Sequence, residues 1–205
     1  MGSIVCFHGL LYLVDAGPNI TRSLAALGIS MGEIEGIFHT HAHDDHFAGL
    51  TSLVASDRRL KYFAVPYVRS TAQKKLSALM RFDEERFSRY FEIHDLVADQ
   101  WNDVGGLEVR PLYSPHPVET TVFFFRVREG DSVRTYAHLA DIPSFAVLGR
   151  LAEGRDGIPA LSEASRASFA EELLQPVDVK RSTSAAVLST GARETSPPTL
   201  PRRSS

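Results

Sequence analysis

Four of the chain's eight histidines fall inside one run of eight residues: His39, His41, His43 and His46, with Asp44 and Asp45 between them. Imidazole and carboxylate are ligands for zinc, iron and manganese. A purely structural role would require every ring to find its own hydrogen-bond partners within one small loop, so the crowding points to a metal. Two further groups of the same chemistry lie downstream. His116 stands in Tyr113-Ser-Pro-His-Pro117, and Asp141 in His138-Leu-Ala-Asp-Ile142. Residues three apart on a strand point to opposite faces, so His138 reads as a packed or supporting residue beside Asp141. His39, two before His41, reads as a partner behind the ligands. His8 and His94 belong to no motif. Arg110, Tyr113, Glu119 and Thr120 are close enough to His116 in sequence to touch a substrate.

Such a loop is best placed between the end of a strand and the start of a helix, where α/β proteins hold ligands. The pattern supplies both. Residues 36–40 read as the strand, and residues 47–55 as the helix. Upstream, the apolar stretch 4–14 reads as buried strand, with residues 10–14 stopped by the turn cluster Asp15-Ala16-Gly17-Pro18. Residues 21–27 read as a short helix ended by Gly28, and residues 62–65 as a strand closed by Pro66. Residues 67–80 and 83–90 read as helices whose charges, Lys74, Lys75, Glu84, Glu85 and Arg89, lie on solvated faces. From about Leu96 the pattern turns to strands, at 107–113, 121–128 and 133–139, rich in β-branched and aromatic residues. Helices are expected at 145–151 and 166–174. The folded part is one domain over residues 1–180. From Arg181 to Ser205 there are 6 Ser, 4 Thr, 3 Pro and no aromatic residue, so residues 181–205 read as a disordered tail.

The chain has 205 residues, 43% hydrophobic and 23% charged, a globular balance that excludes collagen, coiled coil and wholesale disorder. A formal net charge of −3 gives no bulk attraction to nucleic acid, which is not an expected partner, although Arg58, Arg59 and Lys61 form a local basic group. The apolar N-terminal stretch is far short of a membrane span, so no membrane partner is expected. A lone cysteine, Cys6, suits a reducing compartment and a cytoplasmic location.

The run His41-x-His43-x-Asp45-His46 resembles the signature of the metallo-β-lactamase superfamily. Leu13-Val14-Asp15-Ala16-Gly17 is similar to that family's first motif, a strand end whose aspartate braces the metal loop. His116 and Asp141 sit where the family places its next ligand and its bridging carboxylate. The resemblance implies an α/β, four-layer αβ/βα sandwich with one or two divalent metals at the edge between its sheets, zinc before iron or manganese. His41, His43 and His116 would bind the first metal, Asp45 and His46 would begin the second site, and Asp141 would bridge both. It further implies that a metal-bound hydroxide attacks a small ester or phosphodiester, with Asp45 orienting the nucleophile. The Phe47-Ala-Gly49 continuation and the run around His116 are similar to a branch that favours phosphodiesters.

The chain departs from the family at both ends, and most clearly in having no histidine after His138, where the pattern completes the second site on a late strand. Pro176-Val-Asp-Val179 is similar to the approach to that strand. The expectation is therefore a fold incomplete at both ends, shortened before the strand that ends at Asp15 and truncated or frame-shifted after residue 180. The rival function is a metal-binding sensor or interaction protein with weak or no catalysis.

Overall fold

A computed structural model describes residues 2–55, 58–142 and 163–181, with side chains from residue 169 in the last segment. The apolar N-terminal stretch is a hairpin: β1 (Ser3–Phe7) runs antiparallel to β2 (Leu10–Val14), turning at His8 and Gly9, both at positive φ. β1 is thus a strand ahead of the one that leads into Asp15. The chain then forms α1 (Ile20–Ala26), β3 (Ile34–Phe38), the single turns α2 (Asp44–Phe47) and α3 (Leu50–Leu53), β4 (Leu60–Ala64), α4 (Pro66–Met80), α5 (Phe87–Tyr90) and β5 (Phe91–Asp95). The sheet order is β1-β2-β3-β4-β5, with β2 to β5 parallel. Pro66 starts α4 where its missing N–H costs nothing, and Arg81, in the left-handed region, ends it.

The second sheet contains β6 (Asn102–Val104), β7 (Leu107–Ser114), β8 (Thr120–Glu129), β9 (Ser132–His138) and β10 (Val179–Arg181), in the order β10-β9-β8-β7-β6, with α6 (Glu163–Leu174) before β10. β6 to β9 pair antiparallel, whereas β10 is parallel to β9. Alternation along β8 divides its aromatics between two cores. Phe123 and Phe125 face the first sheet and meet Phe38 at centroid distances of 5.8 and 5.1 Å, while Phe38 stacks on Phe63 at 4.7 Å. Val122 and Phe124 face the other way and pack with Leu112, Ala137, Leu139 and Leu173 of α6. The result is an αβ/βα sandwich. Among the described residues no helix is long and apolar enough to cross a membrane.

Three differences from the sequence reading have physical causes. The helix expected at 47–55 starts earlier, at Asp44 inside the histidine run, and breaks at Gly49. The Gly49 amide donates to the Ala16 carbonyl at 2.8 Å, outside the helical ladder. β5 and β6 were not anticipated, because β5 carries Glu92, His94 and Asp95 in a five-residue strand and β6 is only three residues long. The basic group is internally partnered: Lys61 pairs with Glu35 at 2.6 Å, Arg58 donates to the Ile34 carbonyl, and Arg59 to that of Phe91. The helix expected at 145–151 lies outside the described residues. So does the tail, except for Arg181, which ends β10.

Gly49 fits where no side chain does. A Cβ there would stand 2.3 Å from the Gly17 carbonyl oxygen and 2.9 Å from that of Ala16. Gly49→Ala is expected to cost about 1–3 kcal/mol of stability, as overpacking generally does. Gly32→Ala, whose Cβ would meet only Ser30 Oγ at 3.9 Å, should be near neutral. Urea unfolding midpoints check this, and equal midpoints for the two variants would contradict the close approach.

Candidate metal centre

The chemistry-bearing residues cluster at the carboxyl ends of strands. Asp15 follows β2, the run from His39 to His46 follows β3, His116 follows β7 and Asp141 follows β9. Backbone bonds extend the ladders into these loops: the Asp15 N–H donates to the Phe38 carbonyl at 2.9 Å and the His39 N–H to that of Phe63 at 3.0 Å. The second sheet is tied in by the Thr121 N–H, which donates to the Thr40 carbonyl at 2.9 Å.

Asp15 is 1% exposed and sits at φ 64, a conformation that is rare for non-glycine residues. Its carboxylate accepts three hydrogen bonds. Thr40 N–H donates to Oδ1 at 2.8 Å, Thr40 Oγ1–H to Oδ2 at 2.8 Å, and His46 Nδ1–H to Oδ2 at 2.7 Å. Burial alone would raise this carboxyl, but the hydrogen bond and charge of His46, with His39 and His138 nearby, hold it at about 2. The Thr40 hydroxyl gives its one hydrogen to Asp15, so at 2.9 Å it accepts from His41 Nδ1–H. Both rings are thereby fixed in the tautomer that leaves the Nε2 lone pair free.

Those lone pairs converge. His41, His43, His116 and Asp141 bring one ligand atom each within 4.8 Å of one another, and Asp45, His46 and Asp141 do the same. Asp141 Oδ2 is 3.6 Å from His41 Nε2, and Asp141 Oδ1 is 3.4 Å from His46 Nε2, so one carboxylate faces both groups. His43 Nδ1 and His116 Nε2 are 3.1 Å apart, and Asp45 Oδ2 lies 3.3 Å from His46 Nε2. All six residues expected as ligands are thus side by side. His41 Nε2 and His46 Nε2 are buried with no hydrogen-bond partner. A buried acceptor left unpaired costs about 1–3 kcal/mol, and divalent cations held by the two clusters would satisfy both. The residues fit such a group.

The electrostatics agree with that fit. Burial, reinforced by His46, lowers His41 to about 3, and burial with His43 lowers His116, which keeps both rings as neutral donors. Burial also opposes the charging of His46, but Asp15, Asp141 and Asp45 outweigh it and raise its pKa. A proton and a cation therefore compete for His46 Nε2.

The remaining histidines stand behind the cluster. His39 Nδ1 is 2.5 Å from the Tyr62 hydroxyl, and its ring stacks on Phe47. His138 Nδ1 is 3.0 Å from the Tyr136 hydroxyl, with its Nε2 3.9 Å from Asp15 Oδ2. Arg110 is turned away and paired with Asp99 and Glu172, and Thr120 is buried. Tyr113 is half-exposed against Tyr67, and Glu119 accepts from Thr71 at 3.4 Å. Sequence reasoning missed Thr40, whose one signal was a hydroxyl between two histidines. It also placed Lys75 on a solvated face, whereas Lys75 reaches the metal loop at the Ala42 carbonyl and at Asp44.

This fold and this double cluster define a member of the metallo-β-lactamase superfamily. A subclass B3 metallo-β-lactamase from a soil metagenome library, MEM-A1, superposes with a TM-score of 0.58 at 16% identity, over 88% of this chain and 72% of that one. More narrowly, the model of the family described as anti-Pycsar protein Apyc1 matches residues 3–135, and the chain belongs to that family. It is 30% identical over 128 residues to ribonuclease Z of Thermoplasma acidophilum, covering 61% of this chain and 41% of the ribonuclease. It is also 25% identical over 122 residues to the cAMP/cGMP-dependent 3′,5′-cAMP/cGMP phosphodiesterase B of Dictyostelium discoideum, covering 60% of this chain and 11% of that protein. The chain thus spans less than half the length of these two relatives.

Burial, opposed by Asp15, holds His39 and His138 at about 4, so both are neutral in the folded, metal-free chain and charge near 6.5 once unfolded. Between those values the unfolded state binds more protons, so stability falls as pH drops from about 6.5 towards 4. Asp15 adds its own loss only at lower pH, as its carboxyl protonates towards 2. His46, raised, acts in the opposite sense above 6.5. His41, lowered to about 3, acts in the same sense over this window, so denaturation of chelator-treated protein should show stability falling by about 1.4 kcal/mol per pH unit for each such buried imidazole. A flat profile between pH 6.5 and 4.5 would contradict two buried neutral imidazoles.

Proposed function

We propose that the chain is a metal-dependent phosphodiesterase acting on small phosphodiesters, with 3′,5′-cyclic nucleotides as the substrate class. The observation that carries this reading is the double cluster sharing Asp141, with the free Nε2 atoms of His41 and His46 aimed into it. The family match and the likeness to two phosphodiester-cleaving relatives support the choice of a phosphorus centre.

His41, His43, His116 and Asp141 would hold one divalent cation and Asp45, His46 and Asp141 a second, with zinc the first choice for so imidazole-rich a set. When bound, the cations supply Lewis acidity, lowering the pKa of water to about 7 and neutralising charge on the phosphoryl oxygens. The chain's own part is orientation and proton handling. Asp15 and Thr40 keep His41 and His46 in the metal-binding tautomer. Asp45, with 57% of its side chain exposed, is the carboxylate beside His46 that orients the attacking water and takes its proton. The water oxygen bonds to phosphorus as the P–O bond to one ribose oxygen breaks, and that oxygen leaves with the proton returned from Asp45 or from solvent, giving a mononucleotide. Residues 1–180 form the catalytic unit in this reading, and the free, exposed Cys6 suits a reducing cytoplasm.

The test begins with metal content by elemental analysis, followed by turnover of bis(p-nitrophenyl) phosphate and cyclic mononucleotides. Two equivalents of metal and phosphodiester hydrolysis are expected. Asp45→Asn should lower kcat by about 10²- to 10⁴-fold, the usual effect of losing a proton-transfer group, with the circular dichroism spectrum unchanged. Metal-loaded protein that cleaves p-nitrophenyl acetate but no phosphodiester would shift the reading to an esterase. Metal-loaded protein inert to all of these would favour the sensor reading, and folded protein without metal would end the hydrolase assignment.

A further inference from the structure

Asp44 and Asp45 are adjacent carboxylates at the start of α2, and nothing local decides which of them joins the ligands. On a helix, consecutive side chains point about 100° apart, so Asp44 and Asp45 face different ways and any turning of α2 that brings one towards the ligands takes the other away. α2 is a single turn of four residues with no side-chain hydrogen bond at its N-cap, His43, so it has little stability of its own. Both aspartates lie in its first turn, and the helix dipole favours them alike. Tertiary contacts must therefore set its rotation. One end is held through the His46 carbonyl, which accepts from the Ala16 N–H at 2.7 Å.

The other end is held by Lys75, from the middle of α4. Its Nζ donates to the Ala42 carbonyl at 2.6 Å and to Asp44 Oδ1 at 2.6 Å, and stands 4.7 Å over the Phe47 ring. One ammonium thus grips the peptide between His41 and His43, the first of the two aspartates, and the aromatic residue at the end of the same turn. Asp44 is drawn outward, with 85% of its side chain exposed, while Asp45 Oδ2 stays beside His46.

We propose that Lys75 is a positioning residue that sorts the two carboxylates, holding Asp44 out against α4 so that Asp45 alone is presented to the second metal. This rests on the metal reading given above. Lys75 touches none of the ligand atoms in the two clusters. Without Lys75, Asp44 becomes a free rival ligand one residue from the correct one.

The experiment uses the full chain, stripped of metal and titrated with Zn²⁺ against a chromophoric chelator, with Co²⁺ spectra in parallel. Lys75→Met keeps an apolar stem against Phe47. It should leave the first equivalent and the thermal unfolding of metal-free protein unchanged, while weakening the second equivalent about tenfold or more, the usual effect of losing a ligand-supporting contact. Its Co²⁺ d–d bands should shift. Lys75→Arg, which can donate to both oxygens, should restore most of the affinity. Adding Asp44→Asn to Lys75→Met should also restore it, because the rival carboxylate is gone, and a purely structural lysine gives no such rescue. Wild-type affinity for both equivalents in Lys75→Met overturns the proposal, as does failure of Asp44→Asn to rescue. If wild-type protein itself takes up no second equivalent, the two-metal reading falls and the proposal with it, an outcome distinguished by being visible before any variant is made.

Discussion

The site depends on one buried carboxylate. Asp15 is almost inaccessible to water, and an isolated charge there would be prohibitive. It is stable because three donors converge on it, and each of those donors belongs to the metal loop. The charge is therefore solvated by the histidine run itself: Thr40 through backbone and hydroxyl, His46 through its ring. Removing the loop's order would strand the charge, and removing the charge would strand three buried donors. This mutual need explains why the strained φ of Asp15 is tolerated.

From that point the geometry propagates outward. Thr40 relays the orientation to His41, and Ala16 and Gly49 press the first turn against the helical turns behind the loop. Thr121 brings the second sheet to the same loop, which places the ends of β7 and β9, with His116 and Asp141, opposite the ends of β2 and β3. The aromatic layer of Phe38, Phe63, Phe123 and Phe125 keeps the sheets at a fixed separation beneath the cluster. The chemistry is assembled at the rim of a packed core.

Much of this was legible in the sequence. His41, His43, Asp45, His46, His116 and Asp141 stand out because metal-binding residue types are rare enough that their spacing carries information, and the structure gathers all six. The strongly apolar strands β2, β3, β7, β8 and β9 were legible from composition. β5 was not, since a sheet edge tolerates polar residues that erase the alternation, and neither was β6, too short to carry a pattern. The helix starting at Asp44 was hidden because its residues look like loop ligands. Lys75 illustrates a deeper limit. In one dimension it is a charge on an amphipathic helix, and its contact with Asp44 spans 31 residues that no local period can connect.

The parallel pairing of β10 with β9 has a consequence for how the protein is made. Arg181 donates to the Gly2 carbonyl across 179 residues of chain, and His43 meets His116 across 73. Contacts this remote carry a larger loop-closure cost than hairpins such as β1–β2 and β7–β8, and that cost must be met before they contribute. The cluster exists only when these distant segments have met, and a cation that recognises only the finished cluster would act on the folding equilibrium by mass action. The abundance of folded chain would then track the supply of metal, so that starvation for metal and loss of protein would be one event.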